Sequence, residues 1–207
     1  MKRIEKLPSA FIRYEKMSGV VDFAVFEDAI GSEEKVFSAI TQTLHHSHEF
    51  NTDMLRSLGS RRIRERAFFG DWYDLDSRRL LKIGSWRTAD GSELEHPELE
   101  KLEGVKITPG AAPSPQAGVG GQFAYAFSRP PYGLKGRPSE VQAVSEEIRD
   151  FLLPPGQRSE TCDWSSPQLP EVSDYFIAGM EWWGVFLFSI YIAEIERLSI
   201  VTDSTTD

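Results

Sequence analysis

The stretch WGVFLFSIYIAEIERLSIVT, residues 183–202, decides how this chain folds. Its first half is apolar at consecutive positions, a pattern that suits a strand covered on both faces. The residues AEIE at 193–196 interrupt the run, and LSIVT resumes it at 198–202. The spacing predicts a closing hairpin near the centre of a sheet. The longest apolar run, 182–195, is shorter than a membrane span and contains Gly184, Ser189 and Glu194, so it reads as a buried strand.

Immediately upstream, residues 162–179 read as a loop rich in aromatic and acidic residues. Before that loop stands the best-marked helix. Ser139 with Gln142 fits a capping box, Val141, Val144, Ile148, Phe151 and Leu152 make one apolar stripe, and Pro154, Pro155 and Gly156 stop it. Residues 122–127 read as a strand, and 107–121, rich in Pro, Gly and Ala, as a connecting loop. Residues 80–86 and 61–69 are further strand candidates. Ser32, with Glu33 and Glu34 behind it, opens a helix carrying Val36, Phe37, Ile40 and Leu44 on one face and ending near residue 50. A short helix is expected at 52–58. At the N-terminus, 11–15 alternates with period two and 20–26 is apolar, which predicts a hairpin across MSG. The whole chain, 1–207, is expected to be a single α+β domain: a mainly antiparallel sheet of about six to seven strands with two main helices packed on it.

Charge narrows the function. The net charge is −9, with −7 of it in residues 107–207. Such a surface repels phosphate backbones, so nucleic acid is not an expected partner, and a basic protein is. A lone cysteine, Cys162, permits no intrachain disulfide and fits a reducing compartment. The N-terminal basic residues precede no apolar stretch of signal-peptide length. A cytoplasmic location without membrane insertion follows as the expectation.

Spacing argues against several chemistries. His45, His48 and Glu49 satisfy helical i, i+3, i+4 spacing, but the sequence marks no second ligand set and no HExxH register. Asp71, Asp74 and Asp76 resemble a calcium loop until position six, which is Asp76 where Gly is needed, and position twelve, which is Lys82. Gly118, Gly120 and Gly121 precede a strand rather than a helix and lack the phosphate-loop lysine. Cys162 has no histidine after position 96 to activate it. No GxSxG elbow is present. The arginines 61, 62, 64 and 66 are interleaved with acids and read as an exposed strand face. No metal and no cofactor is expected.

What remains is the company that aromatic residues keep with carboxylates. GDWYDLD supplies Asp71, Trp72, Tyr73 and Asp74; DWSSPQLPEVSDYF supplies Asp163, Trp164, Glu171, Asp174 and Tyr175. Trp and Tyr suit binding surfaces because they bury large rigid area and keep a polar handle. Trp182 and Trp183, which lead into the apolar strand, suit packing instead. The expected function is a non-catalytic protein-binding domain presenting an acidic, aromatic surface. Small immunity-type proteins that inhibit toxin enzymes belong to this physical class. The alternative is a small hydrolase-like enzyme with a carboxylate and one of His45, His46, His48 or His96.

Overall fold

The computed structural model describes residues 1–44, 50–109, 123–181 and 185–204. In chain order the elements are β1 (Lys2–Arg3), α1 (Ser9–Lys16), β2 (Asp22–Glu27), α2 (Glu33–Thr43), α3 (Thr52–Leu58), β3 (Arg61–Ile63), α4 (Glu65–Phe69), β4 (Tyr73–Asp74) and β5 (Arg79–Leu80). They continue with β6 (Ser85–Thr88), β7 (Glu93–Glu95), β8 (Ile107–Pro109), α5 (Phe123–Ser128), α6 (Pro138–Leu152), β9 (Ser159–Asp163), α7 (Leu169–Val172), β10 (Phe186–Ile192) and β11 (Arg197–Asp203). The protein is α+β. Among the described residues, no helix is long and apolar enough to cross a membrane.

The hairpin of β10 and β11 is where the sequence placed it. It pairs from Phe186 opposite Asp203 to Ile192 opposite Arg197, and Glu196 takes a left-handed conformation (φ 48°) in the connection. Both strands lie inside an antiparallel sheet of order β1-β2-β11-β10-β9-β3. Alternate side chains leave a strand on opposite faces, so each strand of the hairpin feeds two cores. Phe186, Phe188, Ile190 and Val201 join one core, which is covered by α1, α4, α5 and α6. Leu187, Leu198 and Ile200 join the other, covered by α2 and α3. The two main expected helices, α2 and α6, therefore sit on opposite sides of one sheet. That sheet takes strands from both sides of the Pro/Gly/Ala-rich segment. Smaller sheets, β4-β5 and β7-β6-β8, lie outside it.

Several expectations at the level of single elements are corrected. Residues 11–15 are part of helix α1, because Ala10, Phe11 and Tyr14 recur at helical spacing and all three are buried. The turn after it does need glycine: a Cβ on Gly19 would lie 2.3 Å from the Tyr14 ring. Residues 123–127, expected as strand, belong to helix α5, whose Phe127 stacks on Tyr14 at 4.2 Å between centroids. The 61–69 stretch is strand only to Ile63 and then turns into α4, which buries Phe68 and Phe69. Residues 80–86 divide between β5 and β6. Residues 159–163, whose last two positions fell in the expected loop, form β9 along β10. Helix α2 ends at Thr43, short of the expected residue 50, while α3 covers 52–58 as expected. Residues 107–109 of the expected loop form β8; 110–121, with Gly118, Gly120 and Gly121, lie outside the described residues, as do Trp182 and Trp183.

At the start of α6 the capping partner is Glu140, and Gln142 has another role. Glu140 accepts the Arg137 backbone N–H (3.0 Å) and so fills the capping role. Gln142 is buried; its Oε1 accepts the Leu80 N–H (2.9 Å) and its Nε2 donates to the Arg78 carbonyl (3.2 Å), fastening the β4-β5 hairpin to the helix.

Phe188 touches the Phe68 ring edge-on (5.1 Å) and lies against Phe186 (5.4 Å) at the sheet centre. Phe188→Ala should cost about 3–5 kcal/mol in urea unfolding. A loss under about 1 kcal/mol would show that this strand is not the centre of the core.

Candidate functional site

The nine residues singled out from sequence do not form one surface. Trp72 and Tyr73 are 5% and 2% exposed and belong to the α6-side core. Trp72 meets Tyr125 edge-on at 4.7 Å, and Tyr73 stacks on Phe69 at 4.2 Å. The Tyr73 hydroxyl accepts from Arg149 Nη1 at 2.8 Å. Burial raises the Tyr73 phenol pKa, and the Arg149 hydrogen bond opposes that rise. Their acidic neighbours face outward into local contacts. Asp71 pairs with Arg66 at 2.8 Å. Asp74 accepts the Ser77 hydroxyl and the Asp76 N–H, both at 2.9 Å, and these bonds hold its carboxyl below the usual value. GDWYDLD is thus a turn that anchors its rings inward.

Asp163 and Trp164 are consecutive at the end of β9 and turn to opposite sides. Asp163 is buried, 3.1 Å from Arg61 Nη2, and accepts the Ser165 N–H at 2.9 Å. Trp164, 5% exposed, packs edge-on against Phe37 at 5.4 Å, and its Nε1–H donates to Ser189 Oγ at 2.9 Å. The expectation that Trp72, Tyr73 and Trp164 stand exposed is therefore corrected. Beside Trp72 the acid Asp71 takes the solvent and the ring takes the core, whereas Trp164 and its neighbour Asp163 are both buried.

Glu171, Asp174 and Tyr175 do come together. Asn51 N–H donates to the Val172 carbonyl (2.7 Å), and the Asn51 side chain caps α3 by accepting the Met54 N–H (2.9 Å). These bonds draw the start of α3 against α7. Between them lies an open depression of about 630 Å³ whose lining includes Asp53, Glu171, Ser173, Asp174 and Ile177. Ile177 is 59% exposed, a large apolar side chain among carboxylates. Tyr175 stands just behind this rim, and its hydroxyl donates to Asp22 Oδ2 at 2.7 Å. Burial, then the neighbouring Asp22 carboxylate, pushes the Tyr175 phenol well above its ordinary value. The Asp22 carboxyl is itself raised by desolvation against the pull of that hydrogen bond. Sequence reasoning missed Asp53 and Ile177: one looks like a helix-start acid and the other like one more core isoleucine.

A second depression, about 350 Å³, holds Cys162, Trp164, Ser189 and Tyr191 between Glu33 and Glu160. Burial, then the Glu160 carboxylate, raises the Cys162 thiol pKa, which is the wrong direction for a nucleophile. Among the described residues, no histidine lines either depression. His96 accepts the Gly84 N–H on Nδ1 (2.9 Å) beside the β6-β7 pair. His45, His46, His48 and Glu49 lie outside the described residues. Among the described residues, no group of three His, Cys, Asp or Glu is placed to hold a metal ion. Of the four basic-cluster arginines, Arg61, Arg62 and Arg66 are paired with Asp163, Glu160 and Asp71.

Two measurements check these placements. Trp164→Ala should destabilise the protein by about 3–5 kcal/mol, as core tryptophans do; a change within about 0.5 kcal/mol would return Trp164 to the surface. Alkylation of Cys162 by iodoacetamide should follow a pH profile whose midpoint lies above that of a cysteine peptide, since only the thiolate reacts; a lower midpoint would contradict the raised pKa. No protein-family model, curated protein or solved structure matches this chain, so its reading rests on its own geometry.

Proposed function

We propose that the protein is a non-catalytic binding module of the cytoplasm that receives a basic, amphipathic segment of a protein partner in the depression between α3 and α7. The observation that carries this reading is the exposed Ile177 set among Asp53, Glu171 and Asp174. An apolar anchor surrounded by carboxylates suits a partner offering an aliphatic or aromatic side chain flanked by Lys or Arg. Asp53 has only a loose pairing with Arg56 (3.5 Å), and its side chain is almost fully solvated, so its charge is available to a partner. The −7 charge of residues 107–207 extends the same field. An immunity-type role, in which such a surface covers the basic site of a toxin enzyme, belongs to this class of partner.

The test begins with a stoichiometric partner captured from the native host by the full chain. The double variant Ile177→Asp, Glu171→Lys should weaken that complex at least tenfold while the far-UV circular dichroism stays unchanged. Raising NaCl from 50 to 500 mM should slow association about tenfold or more, because screening shortens the reach of the acidic field. Equal binding by the double variant, or a salt-independent association rate, would remove the proposal. Glu171→Gln alone should leave stability within about 0.5 kcal/mol of the parent yet weaken the complex, separating recognition from folding.

A further inference from the structure

The chain is acidic, and most arginines of its interior and rim are matched by carboxylates: Arg79 by Glu100 and Glu146, Arg149 by Asp150, Arg61 by Asp163. Arg129 is not. Its Nη1 is shut off from solvent and has no hydrogen-bond partner among the described residues, and its guanidinium lies 5.5 Å from the centroid of the Trp72 ring. Arg197 Nε is also without a partner, but that guanidinium donates through Nη2 to the Phe151 carbonyl. A second cation, Lys82, has its Nζ 4.2 Å from the centroid of the Trp86 ring.

The backbone brings the two together. Leu81 N–H donates to the Trp72 carbonyl (2.9 Å), which places Lys82 one residue beyond this contact with Trp72. Trp72 abuts Tyr125, whose carbonyl accepts the Arg129 N–H at 2.8 Å. Burial and then the Arg129 charge lower the Lys82 ammonium pKa, so the two cations sense one another. Neither takes part in an ion pair among the described residues. The stretch that precedes α5, GAAPSPQAGVGGQ at 110–122, contains no Asp or Glu, so its side chains bring no carboxylate.

A partly desolvated pair of like charges with a buried, unmatched N–H is costly unless something answers it. The ring faces of Trp72 and Trp86 offset part of the charge but accept no strong hydrogen bond. We propose that Arg129 and Lys82 form a subsite for a doubly charged tetrahedral oxyanion, the phosphate group of a small molecule. A guanidinium edge and an ammonium together supply the converging donors that such a group takes, and the flanking indoles exclude water and strengthen the attraction. The site is separate from the depression between α3 and α7, so either assignment can fail without the other.

The intact protein, titrated with inorganic phosphate at constant ionic strength, should bind saturably by calorimetry. At about a hundredfold excess over the dissociation constant, Tm should rise by roughly 5–10 °C. Sulfate should substitute for phosphate. In anion-free buffer Arg129→Met should melt no lower than the parent, because it removes an unanswered charge, and it should lose at least tenfold in phosphate affinity. Lys82→Gln should show the same loss from a less buried position. The proposal is overturned if phosphate gives no saturable response, if acetate binds equally well, if both variants bind phosphate like the parent, or if Arg129→Met melts well below the parent in anion-free buffer.

Discussion

A β-hairpin that sends apolar side chains to both faces of its sheet cannot be left open to water on either side. Burial of an aromatic or aliphatic side chain is worth about 1.5–3 kcal/mol, and β10 and β11 present such side chains alternately to two directions. The chain must therefore supply a cover for each face. It does so with α1, α4, α5 and α6 on one side and α2 with α3 on the other. The outer strands, the capping contacts of α6 and the fastening of the β4-β5 hairpin by Gln142 follow from holding those covers in place.

Charge is organised around the same requirement. Arginines at the rim of the cores are tied to carboxylates of neighbouring elements, as Arg61 is to Asp163 and Arg13 to Glu147 at 2.5 Å. Exposed pairs such as Arg13–Glu147 contribute little to stability, generally below about 1 kcal/mol. Their effect is to use up basic side chains locally, so that the surplus of acid is what the solvent and any partner meet. Arg129 and Lys82 depart from that pattern, which is why they stand out in a molecule of net charge −9.

Periodicity made some of this architecture legible in the sequence and hid the rest. The run at 186–192, the stripe of α6 and the Asn51-capped α3 are long or well punctuated, and each lies where the pattern puts it. Over five or six residues a period of two and a period of 3.6 select overlapping positions, so α1 and α5 resembled strands. Strand β9, SETCD, forms because β10 offers it a backbone ladder, a long-range cause that its own polar composition does not reveal. The aromatic–acidic stretches displayed composition without direction. Trp72, Tyr73 and Trp164 point inward while Asp71 points out, and of the nine singled-out residues only Glu171 and Asp174 line the open depression. Ile177 carried no signal, because its exposure depends on how α7 meets α3.

The sheet ends in β1 and β3, two and three residues long, carrying Lys2, Arg3, Arg61 and Arg62. Stubs this brief expose few free backbone donors and acceptors, and their cations repel an identical stub. Another copy of the chain therefore finds little template along which to continue this ladder. So apolar a sheet centre is in this way shielded from edge-to-edge annealing along the six-stranded sheet.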